Sequence, residues 1–226
     1  MGKVTILPET TVKPITLIGE RAGVCWGADT GSPERNYKRG MDCIQSGHGR
    51  TLEFVNVEMV LDGYSARVIR EWYTHIGGMP TRLQASTRYI DYGEFGYVTP
   101  PSIREGESLR KSIYDAAMRC IAMGVKALAE LDVPREDAAM LLPLGMSTRV
   151  VDKRNLRSLV DMSRQRMCSR AYWEFREMFD DICNALAEYS GEWAWIAGNC
   201  FYAKCVETGY CAEKNGCGRY GRRGHE

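Results

Sequence analysis

No run of apolar residues in this 226-residue chain is long enough to span a bilayer as a helix. Net charge is almost absent as well: 30 basic side chains against 29 acidic ones leave +1. Such a balance argues against a molecule built to coat nucleic acid or an anionic membrane. The opening MGKVTILPETTVKP lacks both the apolar core of a signal peptide and the Arg/Ser bias of a transit peptide, so a cytoplasmic protein is expected. Internal repeats and linker-like composition shifts are missing too. With 44% hydrophobic and 26% charged residues, the chain reads as one soluble α/β domain over 1–198. A Cys-rich tail follows over 199–226.

Cysteine is the residue in excess. The chain has nine, an odd total that argues against a disulfide framework. Cys25, Cys43, Cys120, Cys168 and Cys183 are scattered through apolar or helical sequence and read as buried thiols. Cys200, Cys205, Cys211 and Cys217 crowd the tail at spacings looser than those of ordinary structural zinc sites. A structural zinc site and a thiol-rich tail packed on the body both remain open.

Periodicity predicts a strand over Val12–Leu17, a loop through WGADTGSPERNYKRG, and a short helix around Met41–Gln45 stopped by SGHGR. A strand over Glu53–Leu61 would put Val55, Val57, Met59 and Leu61 on one face and end at Asp62-Gly63. Ser65 would cap a helix through ARVIREWYTH. Residues 76–103 read as a long irregular segment, a pattern usually tied to function when aromatics are present. A helix from Glu105 to Leu131 follows, with a core stripe of Leu109, Ile113, Ala116, Ala117, Cys120, Met123, Gly124, Ala127 and Leu128. Asp132 would cap a short helix opened by Pro134, and a last helical region would run from Asn155 to Tyr189.

Three local patterns carry chemistry. Between Arg149 and Arg176 lie eight basic residues and three acids, a concentration that suits an anion or, equally, a solvated basic face. If helical, Arg166, Arg170 and Trp173 would share one side, two guanidinium forks beside an indole. TRLQASTRY offers Gln84, Ser86 and Arg88, an amide, a hydroxyl and a guanidinium fit for a pyrimidine edge and its phosphate, though polar loops with one Arg are common. GHGRTLEF sets His48, Arg50 and Glu53 at the head of a buried strand, where a histidine is more often structural than catalytic.

The order of the pieces is more telling than any one of them. A GHxxxxE segment, a strand, a helix, a Ser-x-Arg-Tyr loop, then LLPLGMSTR, NLRSL and WEFR together resemble flavin-dependent thymidylate synthases from about Cys25 to Arg176. That resemblance implies an α/β fold with an antiparallel or mixed sheet and long helices. It implies a homotetramer with flavin sites between subunits. Its chemistry would be conversion of dUMP to dTMP with FAD, methylenetetrahydrofolate and NADPH, and no cysteine would attack the base. It makes Arg176 the catalytic residue, promoting ionisation of the uracil N3, and Arg149 the holder of the nucleotide phosphate. Ser86, Arg88 and Ala85 become nucleotide contacts. His48, Arg50, Glu53, Thr74, His75, Ile76, Gln84, Arg164, Arg166 and Arg170 fall to the flavin, and Glu71, Thr74 and Gln84 count among the nucleotide contacts as well.

Departures from the family pattern matter as much. The family signature RHRxxSxNExSxRY meets THIGGMPTRLQASTRY here, so Thr74 and Ile76 replace two arginines and about two residues are added near GGMP. Gln84 stands where the signature has Glu, and Glu71 where a Gln is usual. An amide donates and accepts where a carboxylate only accepts, so the pair bears on which pyrimidine edge is read. Three functions remain: thymidylate synthesis, methylation or hydroxymethylation of dCMP or UMP, and flavin or nucleotide binding without turnover.

Overall fold

The computed structural model describes residues 2–222. Its elements are β1 (Lys3–Ile6), α1 (Pro14–Cys25), α2 (Pro33–Gln45), β2 (Asn56–Ser65), α3 (Ala66–Tyr73), β3 (Thr81–Gln84) and α4 (Pro101–Arg104). Then come α5 (Ser108–Glu130), α6 (Arg135–Ala138), β4 (Ser147–Asn155), α7 (Leu156–Arg166), α8 (Trp173–Tyr189), α9 (Gly191–Asn199) and α10 (Lys204–Thr208). The strands form one four-stranded sheet in the order β1-β2-β4-β3, so the expected α/β class holds. The chain gathers into two compact units. One takes in Leu61–Thr74 and Leu83–Val151; the other takes in Val4–Val60, His75–Arg82 and the chain from Asp152 onward.

In the second unit, the strand expected at Val12–Leu17 is the entry to a helix. Pro14 occupies the first helical turn, where its missing N–H costs nothing, and Ile15, Ile18 and Ala22 then fall on one buried face. The polar loop expected after it is largely helix too. Ser32 caps α2 by accepting from the Arg35 N–H, and Pro33 starts the first turn. What hid both helices is their mutual packing. A Cβ on Gly40 would lie 1.9 Å from the Ile15 carbonyl oxygen, and one on Gly19 would lie 1.7 Å from the Asn36 oxygen. Gly40, which reads as a loop residue, and Gly19 are the points where the two backbones touch.

The last helical region is two helices, broken between Arg166 and Trp173. Arg166, Arg170 and Trp173 therefore do not share one helical face. On α8, Phe175, Met178, Phe179, Ile182 and Leu186 are fully buried at helical spacing. Trp193 on α9 is also buried, and its indole N–H donates to the Thr11 carbonyl at 2.7 Å. The strand β4 went unread because its buried side alternates Thr148, Val150, Asp152 and Arg154, half of it charged. Asp152 and Arg154 are both fully enclosed and form a two-pronged pair, Nε to Oδ1 at 2.6 Å and Nη2 to Oδ2 at 2.7 Å.

In the first unit, Ser65 caps α3 as expected, accepting from the Val68 N–H at 3.2 Å. The expected face of β2 is buried at Val57, Met59 and Leu61, with Val55 buried just ahead of the strand. Asp62-Gly63 does not end β2, which pairs on to Ser65; Ala66 N–H still reaches the Met146 carbonyl at 2.8 Å. Asp132 is not a helix cap. It sits in the left-handed region at φ 59°, and Pro134 takes the cap position of α6. The core here is Tyr92, Val125 and Met146, with Ala66, Phe95, Ile121 and Leu142 packed against it. The expected core stripe of α5 faces outward instead: Leu109, Ile113 and Met123 are 63%, 62% and 71% exposed. Helix α5 is apolar on two sides, and Met118, Ile121 and Val125 mark the one turned inward.

The α1–α2 contact gives a stability test. Gly40→Ala forces a methyl against backbone, which costs roughly 1–3 kcal/mol as overpacking. The expected result is a lower urea midpoint with an unchanged slope; an unaltered midpoint would mean that the two helices part freely.

Candidate active site

The expected site residues divide between the units. Glu71, Thr74, Gln84, Ala85, Ser86, Arg88 and Arg149 lie in the first, and His48, Arg50, Glu53, His75, Ile76, Arg164, Arg166, Arg170 and Arg176 in the second. Most nucleotide expectations therefore sit in one body and most flavin expectations in the other.

Within the first unit, strand pairing brings the Ser-x-Arg-Tyr loop to Arg149. The Ala85 N–H donates to the Arg149 carbonyl at 2.8 Å, and the Gln84 amide donates to the Thr148 hydroxyl at 3.4 Å. Arg149 is exposed and paired with Asp62. Ser86 Oγ accepts from the Arg88 N–H at 3.2 Å, which tightens the loop, while the Arg88 side chain pairs with Glu136 at 2.8 Å. At the end of α3, Thr74 donates its hydroxyl to the Glu71 carbonyl at 2.7 Å. Ala85 presents backbone only.

Within the second unit, His75 is held by Arg166, whose Nε donates to His75 Nε2 at 2.9 Å. That bond requires Nε2 to be an acceptor, so the neutral imidazole carries its proton on Nδ1. Phe175 meets the imidazole edge-on at 5.8 Å and lies 4.6 Å beneath the Arg166 guanidinium. Burial, with Arg166 and Arg154 nearby, pushes the His75 pKa down to about 4. The GGMP turn that follows has a definite shape. Gly78 has φ 75°, and a Cβ there would lie 2.5 Å from the Asn155 amide nitrogen. Asn155 caps α7 by accepting from the Ser158 N–H at 2.9 Å, so this turn sits against a helix start. Ile76 and Met79 point outward, 71% and 91% exposed.

Two clefts in this unit hold most of the remaining residues. One, of about 620 Å³, is lined by His48, Arg157, Arg164, Trp195, Asn199 and Tyr202 among others. His48 meets the Trp26 ring edge-on at 6.5 Å. Glu53 pairs with Arg157, and Arg50 is exposed. Arg164 donates to the Cys200 carbonyl at 2.9 Å, pairs with Glu207 at 3.1 Å, and lies 3.5 Å over the Tyr202 ring. The other cleft, about 420 Å³, is lined by Trp173, Arg176, Glu177, Asp180, Tyr202 and Arg219 among others. Arg176 Nε is buried and finds no hydrogen-bond partner among the described residues. Arg170 turns to the tail, donating to the Asn215 carbonyl at 3.1 Å.

The family model described as Thymidylate synthase complementing protein matches residues 7–190. The chain belongs to that family. A flavin-dependent thymidylate synthase from Nitratidesulfovibrio vulgaris is 32% identical over 187 residues, covering 78% of this chain and 74% of the relative. One from Geobacter sulfurreducens is 28% identical over 178 residues, covering 77% and 75%. Among solved structures, Thymidylate Synthase X from Helicobacter pylori with FAD and dUMP superposes with a TM-score of 0.68 at 17% identity. It covers 89% of this chain and 99% of its own. The resemblance read from the motifs, and the expectation of an enzyme of that class, are borne out at the level of the family.

The family match takes in every expected position from His48 to Arg176 and leaves the tail outside. Sequence reasoning missed Trp195, Asn199 and Tyr202, which carry no motif and enter the larger cleft from α9 and the tail. It also missed Arg219 beside Arg176. The zinc reading does not fit. Among the described residues no three His, Cys, Asp or Glu side chains group to hold a metal ion. Cys200 is buried at the end of α9, its thiol pushed up to about 11 by burial, while Cys205, Cys211 and Cys217 line a different pocket.

His75 sets a pH limit. Its folded pKa of about 4 lies below the ordinary 6.5, so the unfolded chain takes up a proton first. Its contribution is fully present above 6.5 and is lost as pH falls from 6.5 towards 4. His75→Gln is expected to flatten the fall of the urea midpoint across that window; an identical pH profile in the variant would assign the acid sensitivity elsewhere.

Proposed function

We propose that this chain is a flavin-dependent thymidylate synthase that carries a one-carbon unit from methylenetetrahydrofolate to C5 of dUMP. The observation that carries this reading is the 32% identity with a relative of that name over 78% of the chain. FAD and dUMP occur in the Helicobacter pylori protein of the same fold. Bound FAD, reduced by NADPH, supplies the hydride that turns the transferred carbon into a methyl group.

The residues present suit such a flavin. The larger cleft combines guanidinium groups, which recognise a pyrophosphate, with indole and phenol rings, which take a flat heterocycle. His48, Arg50, Glu53 and Arg164 line or flank it, and His75, Ile76, Arg166 and Arg170 are assigned to the same cofactor. Ser86, Arg88 and Arg149 hold the nucleotide, with Ala85 and Thr74 contributing backbone and hydroxyl. For both phosphate-facing arginines, binding replaces an existing carboxylate partner, Glu136 or Asp62. Arg176 is assigned to the base: a guanidinium there stabilises the anion formed when N3 loses its proton, so N3 ionises more readily and the ring becomes more reactive. Its Nε, which has no partner among the described residues, leaves a donor for that anion.

The base itself is read at Gln84 and Glu71. Gln84 uses one amide N–H on Thr148, which leaves its second N–H for a carbonyl and its oxygen as an acceptor for an amino group. The acceptor admits a second reading, action on dCMP. FAD-loaded protein given methylenetetrahydrofolate, NADPH and equal dUMP, dCMP and UMP decides between them, with products identified by mass. Thymidylate is the expected main product, and Gln84→Glu is expected to move the dUMP to dCMP ratio. A modified dCMP or UMP as main product overturns the thymidylate assignment, and flavin that is never oxidised marks a binder without turnover.

Four copies assemble in this reading, with flavin sites between subunits, in a cytoplasmic enzyme. Support comes from apolar side chains left in water: Leu109, Ile113 and Met123 on α5, and Ile76, Met79 and Leu83 around the signature loop. No helix among the described residues is long and apolar enough to cross a membrane. Light scattering should give four times the chain mass, and Ile113→Asp should lower it. A wild-type monomer in solution would refute the assembly.

A further inference from the structure

The tail has a chemistry that one-carbon transfer does not use. Four cysteines, Cys168, Cys205, Cys211 and Cys217, line a single pocket of about 280 Å³ between the α7–α8 turn and the tail. All four are free thiols, and Cys217 is exposed. Apolar packing of reduced thiols explains Cys200 and Cys43, which are buried. It does not explain Cys217, whose sulfur is met by polar groups: the Ser169 hydroxyl and the Arg219 backbone N–H hold its thiol below the ordinary range. The Arg170 guanidinium lines the same pocket and is anchored by the Asn215 carbonyl and Glu213. A thiol among donors and a cation is a nucleophile rather than filler.

Its partner is set by the backbone. The Cys211 N–H donates to the Gly221 carbonyl at 2.8 Å, and Cys211 bridges to Arg222, so the segment between them is closed at its neck. Inside that loop, a Cβ on Gly216 would lie 3.0 Å from Cys211 Sγ. The Cys211 sulfur thus rests against the residue directly before Cys217. We propose that Cys211 and Cys217 form a reversible dithiol–disulfide pair that takes its oxidising equivalents from a hydroperoxide.

The Cys217 thiolate attacks one peroxide oxygen: an S–O bond forms, the O–O bond breaks, and the departing oxygen takes a proton and leaves as water or alcohol. The Cys211 thiolate then attacks the same sulfur. An S–S bond forms, the S–O bond breaks, and the hydroxide takes up a proton to leave as water. Two thiols lose two electrons and two protons, and the peroxide gains them. Thiol reductants reverse the step by exchange. Because Arg219 follows Cys217 by two residues and lines the cleft of Arg176, the bond fixes the stretch of chain that walls that cleft.

The test uses full-length protein, reduced, desalted and treated with equimolar hydrogen peroxide, then alkylated and cut with trypsin after Lys214. The expected product is the 205–214 peptide, alkylated on Cys205 as fragmentation shows, joined through Cys211 to the 215–219 peptide of Cys217, lighter than their sum by two hydrogens and released by dithiothreitol. Cys211→Ser should abolish the joined peptide and leave a sulfenic acid on Cys217 that dimedone traps. Ser169→Ala should slow the oxidation several-fold. Full alkylation of both thiols after peroxide overturns the pair, as does linkage of Cys217 to another cysteine. So does a Cys211→Ser protein without a dimedone adduct. None of these readouts depends on nucleotide turnover.

Discussion

The second unit is organised about the Asp152–Arg154 pair. Both side chains are fully enclosed, and the planar fork of the guanidinium meets both carboxylate oxygens. Desolvating two charges is expensive, so a buried pair is weak as net stabilisation but costly to break, about 3–5 kcal/mol when one partner is lost. Its value is therefore positional. Arg154 also reaches Ser158 on the first turn of α7 at 3.4 Å, which ties the end of β4 to the helix that ends in Arg166. The same positive charge helps keep His75 neutral, and a neutral His75 can accept from Arg166. One buried charge on a strand thus adds to the burial and to the Arg166 charge that keep a histidine of the signature segment neutral.

What could be read from the sequence was residue type in sequence order. The Ser-x-Arg-Tyr loop, the Thr-Arg pair and Trp-Glu-Phe-Arg were legible because each combines side chains that apolar packing does not explain. The Ser65 cap and the alternation of β2 were legible because local rules decide them. Failures came where tertiary contact overrides local preference. Helices α1 and α2 meet through glycine, which in isolation signals a loop. Strand β4 hides in its own charge, since a buried Asp and Arg look like surface until they are seen to pair. Helix α5 has two apolar sides, and periodicity alone does not say which is covered within one chain. The cleft residues Trp195 and Tyr202 had no motif, because a ring can line a cleft from many backbone positions.

The tail is more integrated than its composition suggests. Arg164 lies flat on the Tyr202 ring while its donors reach the Cys200 carbonyl and Glu207, so one side chain pins three points of the C-terminal segment. Arg170 fastens it again at Asn215. Two arginines expected to serve only a cofactor therefore also carry structure, and truncating either one would disturb the wall of a cleft as well as remove a charge.

Arg88, Arg149, Arg157 and Arg164 are each already partnered with a carboxylate of the same chain. An anion arriving at any of them finds an occupied fork and must exchange places with an acid. The pairs of Arg88, Arg149 and Arg157 are exposed, and such pairs are cheap to open, on the order of 1 kcal/mol or less. Coulomb attraction scales with charge, so a doubly charged anion has more to gain from that exchange than a monovalent one. The carboxylates act as counterions that never diffuse away. They offset the charge of a concentrated basic segment from within the chain itself.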